Sequence, residues 1–357
     1  MTQVVDCNNK ARRNTTIDFF KCVACILVII NHFHHDGLVG SIEVTVSHLG
    51  VPLFFMVSGY FLWRSSLSDV EKVLPKKIKH AAKLTFTHLS IYFVFGLISL
   101  VIEKGLSGKI LLDFLMGVFS LKAILKTVLF GATLYGGGGQ WFLWALLEAY
   151  ILFFVMCKLK MKWLLYDRAV EISILLFSVH IFVRFMLVGL GVTSIGPISL
   201  NDTYVVRNVY FDAIPFMLLG FKMHDGLRLK TDKELLWMVL FGALSILESL
   251  LAMSLFPNTN CVLYVGTILA EFFAFKYCIK SHSTSENLFW NAVVYFGSNC
   301  SMIAYFIHPM VGTLIKEFNL SNSIFPFAVI FVTVCVSIIL YKFVYFVRTS
   351  YGGRIQQ

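Results

Sequence analysis

Residues 17–32 read IDFFKCVACILVIINH, and they place two basic side chains in the first apolar stretch of the chain. Lys21 and His32 are eleven residues apart. In a helix this spacing is about three turns, so the two share a face and lie about 16 Å apart along the axis. Charged or titratable groups inside a membrane helix are costly and usually functional. The stretch therefore predicts a membrane-spanning helix with one group near the membrane surface and one at mid-depth.

The composition is that of a polytopic helical membrane protein. Of the 357 residues, 58% are hydrophobic and only 14% are charged. Mean hydropathy is +0.78, a balance that soluble domains do not have. The net charge of +10 is better explained by basic cytoplasmic loops than by nucleic acid, so we expect the lipid bilayer and no nucleic acid as a partner.

Apolar stretches near 20 residues long predict an all-α membrane domain over residues 17–347 with about ten spans. The predicted spans are about 17–36, 45–63, 84–102, 140–157, 170–190, 207–222, 234–254, 260–279, 297–315 and 325–347. With both termini in the cytoplasm, most of the 30 basic residues fall in inner segments, as the positive-inside rule requires. Residues 1–16 are then a cytoplasmic N-terminal segment and residues 348–357 a cytoplasmic tail.

Residues 103–139 do not fit the simple pattern of spans and loops. Ile110–Phe130 is apolar but carries Lys122 and Lys126 one turn apart, which is typical of a helix lying in the membrane interface. A span here would reverse the orientation of everything that follows and put the basic loops outside. We therefore predict an interfacial helix, followed by a flexible turn at Gly136–Gly139.

The first span supplies the candidate catalytic residues. A neutral imidazole can take a proton from an attacking hydroxyl, so His32 is a candidate general base, although it could also be a structural interior histidine. Asp18 and Lys21 are spaced to pair on one helix face, and a pair that simply snorkels to the interface is the alternative to a catalytic role. His32, His35 and Asp36 share a face but lack a zinc-motif spacing, so no metal is expected.

Two further groups of polar residues are candidates for binding. Lys76, Lys77 and Lys79 follow the second span and are either a clamp for an anionic cytosolic ligand or ordinary inner-loop charge. Gln140, Trp144 and Glu148 form a helical stripe that suits a sugar, and equally suits a packing seam. Further polar residues within spans are expected to need partners or a role, with Arg207 and Asp212 spaced as a structural pair: Arg184, Arg207, Asp212, Glu248, Glu271 and His308.

Taken in series, several motifs resemble the membrane acyltransferase 3 family, whose members add acetyl or succinyl groups to surface glycans. The motifs are Ile17-Asp18-x-x-Lys21-x10-His32, VPLFFMVSGY at 51–60, QWFL at 140–143, PFMLLGF at 215–221 and Tyr305-x-x-His308-Pro309. They follow the family's order over residues 17–345. The family usually has Arg at the position of Lys21 and an arginine-rich loop where this chain has lysines.

The resemblance implies a stand-alone O-acyltransferase in the cytoplasmic membrane, with acetyl-CoA as co-substrate, no bound cofactor, and a lipid-linked or extracytoplasmic glycan as acceptor. The residues expected to take part are His32, Lys21 and Asp18 in catalysis, Lys76, Lys77 and Lys79 in donor binding, and Gln140, Trp141, Glu148, Arg207 and His308 on the acceptor side. An exporter or flippase for a glycan or small metabolite, with buried charges serving proton coupling, is the alternative function. A scaffold without catalysis would not need His32.

Overall fold

The computed structural model describes residues 14–105, 107–130, 140–187, 191–192, 194–195, 198–199, 205, 207–227, 231–255, 263–281 and 287–352. Within these ranges the chain is almost entirely helical. The helices are α1 (Thr15–His32), α2 (Gly37–Ser47), α3 (Gly50–Tyr60), α4 (Leu67–Lys104), α5 (Gly108–Val118), α6 (Leu121–Phe130), α7 (Gln140–Lys158), α8 (Lys162–Tyr166), α9 (Ala169–Ile181), α10 (Ile214–His224), α11 (Glu234–Leu255), α12 (Val265–Lys280), α13 (Leu288–Asn299), α14 (Ser301–Lys316) and α15 (Phe325–Gly352). Two π-helical segments, Phe182–Leu187 and Val209–Ala213, and a two-residue antiparallel pairing of Ser194–Ile195 with Ile198–Ser199 complete the described elements.

The membrane character of the chain is confirmed by its helices. Six described helical segments are long and apolar enough to cross a membrane. They are Thr15–His32, Gly37–Tyr60, Leu67–Lys104, Trp141–Lys158, Glu234–Leu255 and Phe325–Ser350. Each of the ten predicted spans overlaps a helix, but the number ten and the cytoplasmic position of both ends stay predictions. The chain is therefore a helical, multi-pass membrane protein.

The second predicted span is broken into two helices. Helix α2 ends at Ser47 and α3 begins at Gly50, so His48 lies at the break. Pro52 is tolerated because it stands in the first turn of α3, where backbone N–H groups have no helical acceptor. The break places the polar side chains of Ser47 and His48 inside an otherwise apolar stretch, which is where a binding site can form.

The segment predicted to lie in the interface forms α5 and α6, separated at Phe119 and Ser120. Both helices leave large apolar side chains exposed, among them Met116 and Leu125. Two short helices rather than one long helix agree with an interfacial position better than with a span, although the position itself stays a prediction. The predicted turn at Gly136–Gly139 lies outside the described residues.

Helices α3 and α10 approach each other at two glycines that face in opposite directions across the contact. A Cβ atom on Gly59 would overlap the backbone carbonyl of Met217, and one on Gly220 would overlap that of Met56. Small residues allow this close helix approach in membranes. The contact at these two glycines fixes α3 against α10.

One of the acidic side chains predicted to need a partner, Glu248, has one: it accepts from the backbone N–H of Gly266 at 2.7 Å. Nearby, Glu234 accepts from Lys276 at 3.2 Å and from Lys280 at 3.3 Å. Lys280 also contacts Asp232, and this hydrogen bond lowers the pKa of the Asp232 carboxyl. These contacts join α11 to α12 and are structural.

Candidate active site

A cavity with several polar side chains in its lining, here called the polar cavity, opens at the C-terminal end of α1. Its wall brings together α1, the break between α2 and α3, the start of α7, the π-helical segment Val209–Ala213 and α14. The residues that give it chemical character are Asn31, His32, Ser47, His48, Trp141, Arg207, Asp212 and Tyr305. Three predicted site residues, His32, Trp141 and Arg207, therefore meet in one place although they are far apart in sequence.

His32 faces a second imidazole. The ring centroids of His32 and His308 are 5.2 Å apart, and His308 is completely buried. The Nδ1 atom of His308 lies 2.8 Å from the carbonyl oxygen of Tyr305 and 3.2 Å from that of Ala304. A carbonyl only accepts, so Nδ1 carries the proton of the neutral ring and Nε2 carries the lone pair. Nε2 is buried and has no hydrogen-bond partner among the described residues.

Arg207 is held at the cavity by His48. The Nη2 atom of Arg207 donates to Nε2 of His48 at 3.0 Å, which places the proton of the neutral His48 ring on Nδ1. Arg207 and Asp212 do not form the expected ion pair at bonding distance, although they are close enough to attract each other electrostatically. Asp212 still lines the cavity, and its Oδ2 atom has no partner among the described residues. The cavity thus has a fixed cation and a nearby carboxyl group.

Neutral groups complete the wall. Ser47 donates to Oδ1 of Asn31 at 3.0 Å, which orients the amide of Asn31 next to His32. The Tyr305 hydroxyl is buried and has no partner among the described residues. Trp141 is half-buried, lies 6.1 Å from Phe55 between ring centroids, and presents an aromatic surface to the cavity. Hydrogen-bonding groups beside an aromatic face suit a sugar hydroxyl.

Lys21 and Asp18 form the predicted pair but do not line the cavity. Their side chains are 3.2 Å apart, Nζ to Oδ1, and Asp18 is buried. The backbone of Asp18 is contacted closely by Gly297 of α13. Eleven residues along a helix place Lys21 about 16 Å from His32. The pair therefore lies at the opposite end of α1, and its catalytic role stays a prediction.

The three lysines predicted to bind the donor lie on the first half of α4. Helix α4 has 38 residues and is about 57 Å long, nearly twice the hydrocarbon thickness of a bilayer. Its apolar part is the C-terminal half, so the half with Lys76, Lys77 and Lys79 projects beyond the membrane. Lys76 and Lys79 are exposed, while Lys77 is half-buried and close enough to Arg64 for electrostatic repulsion.

This basic surface lies at the same end of the bundle as the start of α1. Asn14, which caps α1, donates to the carbonyl of Cys278 at 2.9 Å. Tyr60, the last residue of α3, packs against Phe275 with ring centroids 5.6 Å apart. Both contacts are with the end of α12, and α4 follows α3 after a short loop. The lysines of α4 and Lys21 are therefore at one end, and His32 lies deeper along α1.

The remaining acceptor-side candidates are less central. Gln140 is the first residue of α7, but its side chain lies outside the described residues. Trp144 donates to Oε1 of Glu148 at 2.9 Å, so the predicted stripe does form a hydrogen bond. Glu148 is not part of the cavity lining, which favours the packing interpretation for this pair, and its acceptor role stays a prediction.

The loop after α1 does not bring His32 and His35 into one site. Nδ1 of His35 lies 2.8 Å from Oε1 of Glu43, and this hydrogen bond raises the pKa of His35. Asp36 accepts from Asn322 at 2.7 Å at the beginning of α15. Among the described residues, no group of three metal-ligating side chains is present. These contacts tie the loop to the neighbouring helices.

The sequence interpretation missed three residues of the cavity, Asn31, Ser47 and His48. His48 carried a signal, since it is a polar ring within the apolar stretch 45–63. Asn31 and Ser47 carried none beyond being polar, because only the fold places them beside His32. Tyr305 was noted only as part of a motif with His308.

These helices and this imidazole-lined cavity define a multi-pass membrane protein with a buried polar site. A family model described as an acyltransferase domain matches residues 14–342. The match covers nearly the whole chain, and the chain belongs to the acyltransferase 3 family, which makes it a membrane acyltransferase. No curated protein and no solved structure matches the chain.

Proposed function

We propose that the chain moves an acyl group, most simply acetyl from cytosolic acetyl-CoA, to a hydroxyl of a lipid-linked or extracytoplasmic glycan in the cytoplasmic membrane. The observation that carries the proposal is the cavity lined by His32, Arg207 and Trp141, with the buried ring of His308 next to that of His32. A base, a cation and an aromatic surface are what an acyl transfer to a sugar needs. Family membership supports the reaction class, and the acetyl donor and glycan acceptor are those that the family resemblance implies.

In the proposed reaction His32 takes the proton of the acceptor hydroxyl as its oxygen attacks the thioester carbonyl carbon. The carbon–sulfur bond then breaks, and the coenzyme A thiolate takes the proton back from His32, which gives an ester and a free thiol. Nε2 of His308 can accept from the His32 ring and hold its orientation. The Tyr305 hydroxyl and Arg207 are the donors available to the carbonyl oxygen as its negative charge develops.

The donor side follows from charge and length. Coenzyme A is charged and bulky at its nucleotide end and thin at its thioester end. In this proposal its phosphates bind the basic surface of α4, and its arm extends from there toward His32. The donor thus reaches the site from the end of the bundle with the lysines, and the acceptor reaches it from the opposite side.

Inverted membrane vesicles that contain the chain test the proposal, because their cytoplasmic face is accessible. Acetyl-CoA labelled in the acetyl group is added, and alkali-labile label is measured in the glycan fraction. We expect label that depends on the chain. Export of unmodified glycan that depends on the chain, without label, would support the exporter instead.

Neutralising the donor surface is expected to weaken donor binding more than catalysis. In the triple variant Lys76→Gln, Lys77→Gln and Lys79→Gln, the KM for acetyl-CoA should rise roughly tenfold with little change in kcat, since exposed charge pairs are each worth up to about 1 kcal/mol. Lys104→Gln, at the other end of the same helix, is the matched control and should change neither. A defect only in membrane insertion would show that the three lysines set topology.

The charge of Lys21 is expected to matter more than its shape. Lys21→Arg keeps a cation beside Asp18 and should retain activity within a few-fold, whereas Lys21→Ala removes the salt bridge at 3.2 Å and should lower kcat by roughly tenfold, or about 1.4 kcal/mol. Initial rates at saturating donor and equal amounts of inserted protein measure the difference. Equal losses in both variants would contradict a role based on charge.

A further inference from the structure

A second, apolar cavity lies directly beside the polar one. It is lined by residues of α1, α3, α7 and α14. The residues are Cys25, Val28, Phe54, Phe142, Ser301, Met302 and Tyr305. None of them is charged, and the thiol of Cys25 donates to the backbone carbonyl of Ser301. Such a lining favours a neutral apolar group.

The two cavities share part of their lining. Val28 and Tyr305 line both, so the apolar cavity adjoins the polar one at these side chains. On α1, Val28 is one turn and Cys25 two turns before His32, on the side of Lys21. The apolar cavity therefore lies between His32 and the end of the bundle with the lysines.

Where the cavities adjoin, Tyr305 is a polar residue common to both linings. Its hydroxyl is buried and has no hydrogen-bond partner among the described residues. A buried hydroxyl without a partner is costly unless a ligand satisfies it. A carbonyl oxygen at the junction would accept from this hydroxyl, with its chain on one side and His32 on the other.

We propose that this apolar cavity binds the acyl chain of the donor and makes the enzyme selective for short, uncharged acyl groups. The inference rests on the proposed function, because it assumes that the thioester reacts beside His32. Acetyl, propionyl and butyryl groups fit the apolar wall. A succinyl group would bring a carboxylate into a space without a cation and is rejected.

Donor selectivity tests this assignment. The ratio of kcat/KM for butyryl-CoA to that for acetyl-CoA is measured in the wild type, in Cys25→Leu, which fills the cavity, and in Met302→Ala, which enlarges it. One methylene in an apolar pocket changes kcat/KM by about tenfold or more. We expect the ratio to fall at least about tenfold in Cys25→Leu and to rise in Met302→Ala, with succinyl-CoA the poorest donor of the wild type.

Two results would overturn the assignment: a ratio that is the same in all three proteins, or succinyl-CoA used as well as butyryl-CoA by the wild type. Met302→Ala keeps the test valid if Cys25→Leu does not fold, because Met302 is partly exposed. Failure of the proposed function gives a different result, in which the wild type transfers no acyl group from any of the donors.

Discussion

His32→Ala is expected to lower kcat by about 100- to 10,000-fold, the usual contribution of a positioned general base. The side chain lines the polar cavity, and its ring lies 5.2 Å from that of His308. Without the His32 ring, the cavity lining still has the imidazole of His48. That ring is hydrogen-bonded to Arg207 and does not replace His32 as the base. The rate of alkali-labile ester formation from labelled acetyl-CoA measures the effect.

The matched control for this variant is His34→Ala. His34 is exposed, lies two residues away, and is not part of the cavity lining. His34→Ala should leave the rate of ester formation unchanged. Both variants should insert in the membrane in wild-type amounts and bind coenzyme A as the wild type does. Full activity of His32→Ala, or an equal loss in His34→Ala, would remove His32 from the role of base.

Gly59→Ala and Gly220→Ala are each expected to destabilise the protein by about 1–3 kcal/mol, the usual cost of overpacking. The added Cβ would overlap the backbone of Met217 in the first case and of Met56 in the second. Backbone atoms cannot relieve this overlap by changing rotamer as a side chain can, so α3 and α10 must move apart. The temperature of unfolding of the solubilised protein measures the loss.

Gly242→Ala is the control for this pair. Gly242 lies within α11, and no atom lies within 4 Å of the position of an added Cβ. It should leave the unfolding temperature unchanged or raise it slightly, because Ala favours a helix more than Gly does. If Gly59→Ala and Gly220→Ala left the unfolding temperature as little changed as Gly242→Ala does, α3 and α10 would not be in close backbone contact.

The helical pattern could be predicted from the sequence because each apolar stretch signals its own helix. The break at His48 was not predicted, since length and hydropathy describe 45–63 as one span. Likewise, the sequence gives His32 and His308 as separate residues, and only the packing of α1 against α14 brings their rings together.

The hydrogen-bond partner of Arg207 could not be predicted from sequence spacing. Five residues separate Arg207 from Asp212, and this spacing suggested a local pair. The structure bonds it to His48 instead, because the two stand on different elements that close on the same cavity. Contacts between distant elements depend on the fold and not on local periodicity.

The most direct measurement of the central claim is the alkali-labile acyl content of envelope glycans in cells with the intact chain, without it, and with His32→Ala. An acyltransferase with His32 as its base predicts ester that appears with the intact chain and is absent in the other two. Ester that stays at the wild-type level in His32→Ala would contradict the claim.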